Sequence, residues 1–297
     1  MSFLRQARAT GELSVRLGVA QLQKEAFRRV RTAMGLQSDP PPACMDPALS
    51  YLPVDGAARL VHGDLPSMIV GGLASLLLQI LHPGAMAGVA DHSRYRDDPL
   101  GRLEQTATFV GTTTFGSRTD ALAAIERVRA VHQAVRGQRD DARPYEANDP
   151  ELLRWVHVAE ISMFLAGARA FSPHAITPDI ADRYVAEMAK LARDLGVVTP
   201  PESERELLEQ LEAFRPELEM IPRGKDARNF VLRGVASRPL ERAAYTSLVA
   251  AALGILPEWA RVELELPTIP FVNNVVIRPA ATAVAVALRL AIPTSSK

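Results

Sequence analysis

The fold class follows from the stretch Thr177-Pro-Asp-Ile-Ala-Asp-Arg-Tyr-Val-Ala-Glu-Met-Ala-Lys-Leu-Ala-Arg-Asp-Leu-Gly196. Its apolar residues recur three or four positions apart, which is the spacing of one face of an α-helix. Thr177 is a favourable N-cap, Pro178 suits the first helical position because no amide donor is needed there, and Gly196 suits a left-handed C-terminal cap. The sequence therefore predicts an amphipathic helix that ends at Leu195.

The same start signal recurs at Asp98-Pro99 and Asp149-Pro150. Ser203 with Glu206 three residues later forms a predicted capping box, and Pro216 would stop the helix that follows. Helical patterns also cover 239–253 and 280–290, whereas 257–267 is ambiguous because its apolar residues alternate. No convincing sheet pattern appears elsewhere. The chain is therefore predicted to be all-α.

Composition limits the partners and the kinds of site. The chain has 297 residues, 47% of them hydrophobic, so it can bury a large core. Lys plus Arg and Asp plus Glu both number 34, and the zero net charge disfavours a nucleic-acid partner. The lone Cys44 excludes an internal disulfide and a cysteine-based zinc or iron–sulfur site.

Two apolar stretches, 67–81 and 280–292, are shorter than the roughly 17 to 25 residues of a membrane span. Both are predicted to be core helices, and a peripheral membrane contact stays open for the second. The N-terminus lacks the apolar core of a signal peptide, so a cytoplasmic location is expected.

Neither a repeat nor a low-complexity tract divides the chain. We therefore expect a single helical domain over 1–297, with 1–50 as a partly peripheral N-terminal segment. Pro222, Gly224 and several basic residues make 217–237 the best candidate for a mobile surface loop or lid.

Several familiar enzyme signatures are missing from the sequence. There is no His-Glu-x-x-His zinc motif, phosphate loop, Gly-x-Gly-x-x-Gly or Gly-x-Ser-x-Gly nucleophile elbow. The paired Glu-x-x-His motifs of di-iron bundles are also missing. Most common hydrolase, nucleotide-binding and di-iron classes are thereby disfavoured.

His132 is the first candidate for chemistry. Ile125, Val128, His132 and Val135 share one helical face within 120–137, so the imidazole is expected to point into the core. A neutral buried imidazole can ligate a haem iron through one nitrogen. Helical spacing alone favours a structural histidine whose nitrogens are satisfied.

The helix starting at Pro99 places Arg102, Thr106 and Phe109 along one stripe, with Gln105 adjacent. This arginine is expected to be partly buried and so to need an anion, for which a haem propionate would serve. An ion pair with Asp97, Asp98 or Glu126 is the structural alternative.

His157 is also predicted to face inward, because it shares a helical face with Leu153, Ile161 and Phe164. Glu160 follows three residues later and could orient the imidazole or supply a proton.

A set of motifs in order resembles the MpaB-type oxygenase family, relatives of the latex clearing proteins. The motifs are Leu78-Gln-Ile-Leu-His-Pro83, Asp91-His-Ser-Arg-Tyr95, Asp98-Pro-Leu-Gly-Arg-Leu-x-x-Thr106, Phe115-Gly116, Val131-His-x-x-Val-x-Gly137 and Tyr145-x-Ala-x-x-Pro-x-Leu-Leu-x-Trp-Val-His157. They cover somewhat over a quarter of the chain.

The resemblance implies an oxygenase that binds haem b in a helical fold with a globin-like core and additional helices. In this family, relatives cleave carbon–carbon double bonds of isoprenoid chains with oxygen. His132 matches the proximal iron ligand, and Arg102 and Thr106 match residues near the haem, to which Phe109 is added as a cofactor contact. Gln105 stands where latex clearing proteins have a lysine on the distal side, and the region of their proposed glutamate base, around Met86, is apolar here.

The sequence thus predicts a haem-dependent oxygenase that acts with O2 on a hydrophobic, isoprenoid or terpenoid, substrate. His132 is the expected iron ligand, and Gln105, Thr106 and His157 are the candidate catalytic residues. Two alternatives remain at this point: a non-catalytic haem-binding sensor, store or carrier, and a cofactor-free helical interaction protein.

Overall fold

The structure is a computed structural model that describes residues 42–234 and 238–266, together with the single residues 279, 282, 283, 286 and 289. Apart from one small two-stranded sheet, the regular elements of this part of the chain are helices, which confirms the all-α prediction. The globin-like core stays a prediction. The α-helices are α1 Ala57–His62, α2 Leu65–Gln79, α3 Pro83–His92, α4 Pro99–Phe115, α5 Arg118–Ala134, α6 Pro150–Phe171, α7 Pro178–Leu195, α8 Glu204–Ala213, α9 Pro222–Arg233, α10 Pro239–Ile255 and α11 Glu258–Glu263.

The helix starts confirm the cap predictions. The side chains of Asp98, Asp149 and Thr177 each accept a hydrogen bond from a backbone amide in the first turn of α4, α6 and α7. Gly196 ends α7 with φ 113°, in the left-handed region that a residue without Cβ adopts at no steric cost. Ser203 caps α8 by accepting from the Glu206 amide, as the capping box predicts.

The centre of the core is the antiparallel pair α2 and α6. The two backbones approach closely at Gly71 and Gly167, where a Cβ on either residue would fall within 3.0 Å of the opposite backbone. At the other end of the pair, the buried Trp155 donates from its indole N–H to the carbonyl of Gln79 at 3.4 Å. The predicted core helix 67–81 is therefore confirmed.

α1 is a short helix that α7 holds in place. The Glu187 carboxylate accepts from the amides of Ala57 and Ala58 at 3.0 and 2.8 Å. It thereby supplies the N-terminal cap that Gly56 lacks. Ala57, Ala58 and Val61 are buried, so α1 lies inside the helical assembly.

A small antiparallel sheet, β1 Arg136–Gln138 and β2 Pro144–Glu146, follows α5. Tyr145 is buried and donates from its hydroxyl to Asp91 at the end of α3, at 2.7 Å. The sheet therefore fastens the end of the α4–α5 hairpin to α3.

The prediction of a mobile loop over 217–237 is wrong for the residues that are described. Most of the segment is α9, which Pro222 starts at the first helical position. Arg223 pairs with Asp91 at 2.7 Å, and Arg228 donates to the carbonyl of Leu264 at 2.7 Å. The basic residues that suggested a solvated loop therefore fix a helix to its neighbours, and 235–237 lie outside the described residues.

Two other sequence predictions concern the C-terminal part. The ambiguous stretch 257–267 contains the helix Glu258–Glu263. Most of 280–290 lies outside the described residues, but the single residues given there are helical, and Arg289 pairs with Asp64 at 2.7 Å. A peripheral membrane contact of 280–292 stays a prediction, as does the single-domain boundary 1–297, since 1–41 lie outside the description.

In the described part of the chain, no individual helix has the length and apolar composition needed to cross a membrane. The pair α2 and α3, bent by 104° at its break, meets that test only when the two helices are taken together.

Adding one methyl group to the α2–α6 interface should destabilise the protein. In Gly71→Ala the new Cβ would lie 2.8 Å from the Met163 carbonyl oxygen, so we expect a loss of about 1–3 kcal/mol from overpacking. Gly72→Ala is the matched control, because its Cβ would meet nothing closer than 3.7 Å. It should gain up to about 1 kcal/mol from helix propensity. Equal stabilities of the two variants in urea unfolding would contradict this packing.

Candidate functional site

His62, at the end of α1, connects three helices through buried contacts. Its Nδ1 lies 2.8 Å from the Thr114 hydroxyl on α4, and its Nε2 lies 3.0 Å from the Tyr184 hydroxyl on α7. Its ring packs edge-on against Phe164 of α6. Burial lowers the pKa of His62 to about 3. The imidazole is therefore neutral, and both of its nitrogens are hydrogen-bonded.

A second set of contacts lies at the C-terminal end of α7. Arg129 of α5 donates to the Asp194 carbonyl at 3.5 Å, and Leu153 of α6 packs beside Gly196. α5 and α6 therefore both contact this end of α7.

Arg102 and His132 lie opposite each other on the hairpin, because α4 and α5 are antiparallel and joined by a short turn. The charge of Arg102 acts on the His132 imidazole, so the two side chains are neighbours. We call the space at these two side chains the cleft.

Few residues of the hairpin are buried, and all of them lie near the turn between α4 and α5. α4 buries only Thr112, Thr113 and Thr114, and α5 buries only Ala121, Ala124 and Ile125 among the described residues. The remaining turns, 99–111 and 126–134, contain no buried residue. Those turns pack on each other and leave one side facing the cleft.

His132 lies on the predicted face but at less than the predicted depth. Val128, His132 and Val135 are half-buried, whereas the other residues from 126 to 136 are exposed. The expectation of a core position is therefore corrected, because α5 reaches the core only through its first two turns. The helical spacing predicted the direction of the side chain, and the hairpin sets its depth.

The chemistry of His132 is that of a neutral, unpaired imidazole. Burial, and secondarily the charge of Arg102, lowers its pKa. Nδ1 is buried and has no hydrogen-bond partner among the described residues. Nothing described therefore satisfies this histidine as a structural residue.

Arg102 has no carboxylate partner among the described residues. Its guanidinium donates to the Thr106 hydroxyl at 3.2 Å, and that hydroxyl in turn donates to the Arg102 carbonyl at 3.1 Å. The ion pairs considered from the sequence are therefore not formed. The expected partial burial is also corrected, because Arg102 and Thr106 are exposed by surface area.

Desolvation nevertheless lowers the pKa of Arg102. A side chain that solvent can reach, but whose charge is disfavoured by surrounding protein, lies in a concave space. This supports the assignment of Arg102 to the mouth of the cleft.

The other predicted residues of α4 differ in burial. Phe109 is half-buried and packs against the core, between Arg102 and the His62 end. Gln105 is exposed, and no described group hydrogen-bonds with its amide. The structure thus brings Arg102, Thr106 and His132 together and leaves Gln105 beside them.

His157 is buried, as predicted from its helical face. Only 8% of the residue is exposed, and burial lowers its pKa to about 4. Its Nε2 is buried without a partner among the described residues. Glu160, three residues later, is half-buried, and desolvation raises its pKa to about 7.

Of the remaining histidines, His82 and His92 contact backbone groups, and His62 was not identified from the sequence. His82 accepts from the amides of Gly84 and Ala85 and so caps α3. A ring nitrogen of His92 lies 3.3 Å from the Arg136 carbonyl oxygen. His62 carried no motif, and its only signal was its place after the apolar residues of a short helix.

The family model described as "ER-bound oxygenase mpaB/B'/Rubber oxygenase, catalytic domain" matches residues 59–289. The chain belongs to this family. It is therefore an oxygenase, and the resemblance seen in the motifs is confirmed. The match favours an enzyme acting with O2 on a small molecule over a carrier or an interaction protein. No curated protein and no solved structure matches the chain.

The neutral histidines of the interior predict an acid-sensitive fold. Unfolded histidine binds a proton near pH 6.5, whereas folded His62 resists protonation down to about 3. Its contribution to stability is therefore present above pH 6.5 and is lost as the pH falls. We expect a loss of about 2 kcal/mol from this residue between pH 6.5 and 5.

His62→Gln keeps a hydrogen-bonding side chain but does not titrate. Urea unfolding at pH 7 and pH 5 should therefore show a smaller pH-dependent loss in this variant than in the wild type. An identical loss in both proteins would contradict the burial of a neutral His62.

Proposed function

We propose that this oxygenase uses haem b, that His132 ligates the iron, and that the cleft takes a hydrophobic substrate. The observation that carries the proposal is the unpaired, neutral imidazole of His132 beside an arginine without a carboxylate partner. The family assignment supports the oxygenase reaction. The identity of the cofactor is our proposal and goes beyond that assignment.

The side chains present fit a haem better than a bare metal ion. The described residues hold no group of three or more His, Cys, Asp or Glu side chains that could bind a metal. A single histidine suffices only when the metal brings its other ligands, as haem iron does with its porphyrin. His132, with a lowered pKa and a nitrogen that lacks a partner, meets this requirement.

Arg102 fits the acidic edge of the same group. A guanidinium in a desolvated concavity is stabilised by an anion, and a propionate would provide one. The Thr106 hydroxyl, one turn along α4, fixes the guanidinium through its 3.2 Å contact. We therefore assign Arg102 to bind a propionate and Thr106 to orient Arg102.

The remaining residues set the environment of the reaction. The haem iron would supply the activation of oxygen when the group is bound. Phe109 of α4 and Val156 of α6, both half-buried, provide apolar surface that excludes water and accepts a hydrocarbon chain. Gln105 offers a neutral amide rather than a charge beside Thr106, so it can donate a hydrogen bond without adding a cation.

The substrate is proposed to be an isoprenoid or terpenoid. Two observations support a hydrophobic substrate: the apolar side chains that flank the cleft, and the rubber oxygenase named in the family description. The cytoplasmic location stays a prediction.

Removing the imidazole of His132 should abolish stoichiometric haem binding. We expect His132→Ala to purify with less than about a tenth of the wild-type haem, because loss of the proposed iron ligand would weaken binding by several kcal/mol. His174→Ala is the matched control, since His174 is exposed. Haem content by pyridine haemochromogen assay checks both variants. Full haem content and an unchanged spectrum in His132→Ala would contradict the assignment.

Replacing Arg102 should weaken retention of the haem without abolishing its ligation. For Arg102→Gln we expect haem transfer to apomyoglobin to be roughly tenfold faster than in the wild type, as for loss of a charge-assisted hydrogen bond. Arg127→Gln, on an exposed position of α5, serves as the control. Equal transfer rates in the wild type and Arg102→Gln would exclude a propionate contact.

A further inference from the structure

α6 carries two interior polar groups that the proposed haem site does not use. The Nε2 of His157 is buried without a partner among the described residues. Glu160 follows three positions later, and no described group hydrogen-bonds with its carboxyl. Buried polar groups in folded proteins are almost always paired, so two unpaired neighbours indicate a site for a ligand or for water.

Both side chains belong to the face of α6 that points to His62. Residues 157, 160 and 164 are spaced three and four apart and therefore share one helical face. Phe164, the last of the three, contacts His62 directly. The charge of Glu160 also helps to raise the pKa of Tyr184, the hydrogen-bond partner of His62, which places Glu160 close to this junction.

Glu160 therefore lies near the point where α1, α4, α6 and α7 meet at His62. It is half-buried despite its desolvated surroundings, so its carboxyl can still be reached by a ligand or by water.

Around pH 6, the His157 imidazole and the Glu160 carboxyl are both predominantly neutral. Burial lowers the pKa of His157 to about 4, and desolvation raises the pKa of Glu160 to about 7. A protonated carboxyl donates one hydrogen bond, and both groups can accept one. Neither side chain therefore offers a positive charge to an anionic ligand group.

We propose that His157 and Glu160 form the polar end of the substrate site, which takes an apolar chain carrying a neutral hydroxyl or carbonyl group. The inference deepens the proposed function and rests on it for the apolar part of the substrate. A pure hydrocarbon would leave the buried Nε2 of His157 without a partner and would take the Glu160 carboxyl out of water without a hydrogen bond in return. A site with such groups discriminates against a ligand that lacks the matching oxygen. A carboxylate would have to lose its hydration without gaining a cation from His157 or Glu160.

The test compares three probes with the same isoprenoid skeleton: farnesol, farnesoic acid and farnesene. Their dissociation constants are measured at pH 6 on the purified full-length protein by quenching of tryptophan fluorescence. We expect farnesol to bind roughly tenfold more tightly than farnesene, which corresponds to one net hydrogen bond, and more tightly than the acid. Equal binding of the three probes to the wild type would overturn the proposal and leave a bridging water as the partner of both side chains.

Three variants then test whether the preference for farnesol over farnesene depends on Glu160. Glu160→Ala should lose the preference for farnesol over farnesene, and Glu160→Gln should keep it, because an amide also donates and accepts hydrogen bonds. Glu126→Ala, on the exposed face of α5, should bind as the wild type does. An unchanged preference in Glu160→Ala would overturn the proposal. Unfolding free energies of the variants separate loss of the ligand contact from loss of the fold.

The haem content of the same preparations separates the two proposals. A farnesol preference that depends on Glu160 in a protein without haem would contradict the proposed cofactor and support this inference. Full haem content with no such preference would contradict this inference alone.

Discussion

The neutral imidazole of His62 is the contact on which the arrangement of the cleft depends. It is hydrogen-bonded to Thr114 on one side and Tyr184 on the other, and it packs on Phe164. α4, α6 and α7 therefore meet at one buried ring. His62 thereby holds α4, which carries Arg102, and α6, which carries His157, to α1 and α7.

The polar groups that flank the cleft share one electrostatic property. His132 and His157 have lowered pKa values and Glu160 has a raised one, in each case with burial as the main cause. His157 and Glu160 are thus predominantly uncharged around pH 6, and the neutral form of His132 is favoured. Arg102 lies beside His132 as a cation, so this arrangement suits an apolar substrate and a cofactor whose charge lies at its edge. Burial by the surrounding helices therefore favours the neutral forms of both the proposed iron ligand and the proposed polar end.

Local signals predicted much of the fold, whereas contacts between distant residues could not be predicted. The caps at Asp98, Asp149 and Thr177 act within one turn, so their residue types were sufficient. The face of α5 that carries His132 followed from spacing, but its depth did not, because depth depends on how the hairpin is tied at His62. The helical order of α9 was missed because Arg223 and Arg228 pair with Asp91 and Leu264, which no local pattern reveals. The motifs predicted the family, which the family match confirms, and they are the source of the proposed roles of Arg102 and His132. The pairing of His62 with Thr114 and Tyr184 emerged only in three dimensions.

The central claim is that the cleft holds one haem per chain through His132. The most direct measurement is the optical spectrum of the wild-type protein purified from haem-replete cells, recorded oxidised, reduced, and reduced with carbon monoxide. The account predicts a Soret band that shifts on reduction and again on addition of carbon monoxide, at about one haem per chain. A colourless protein that also fails to take up added haemin would contradict it.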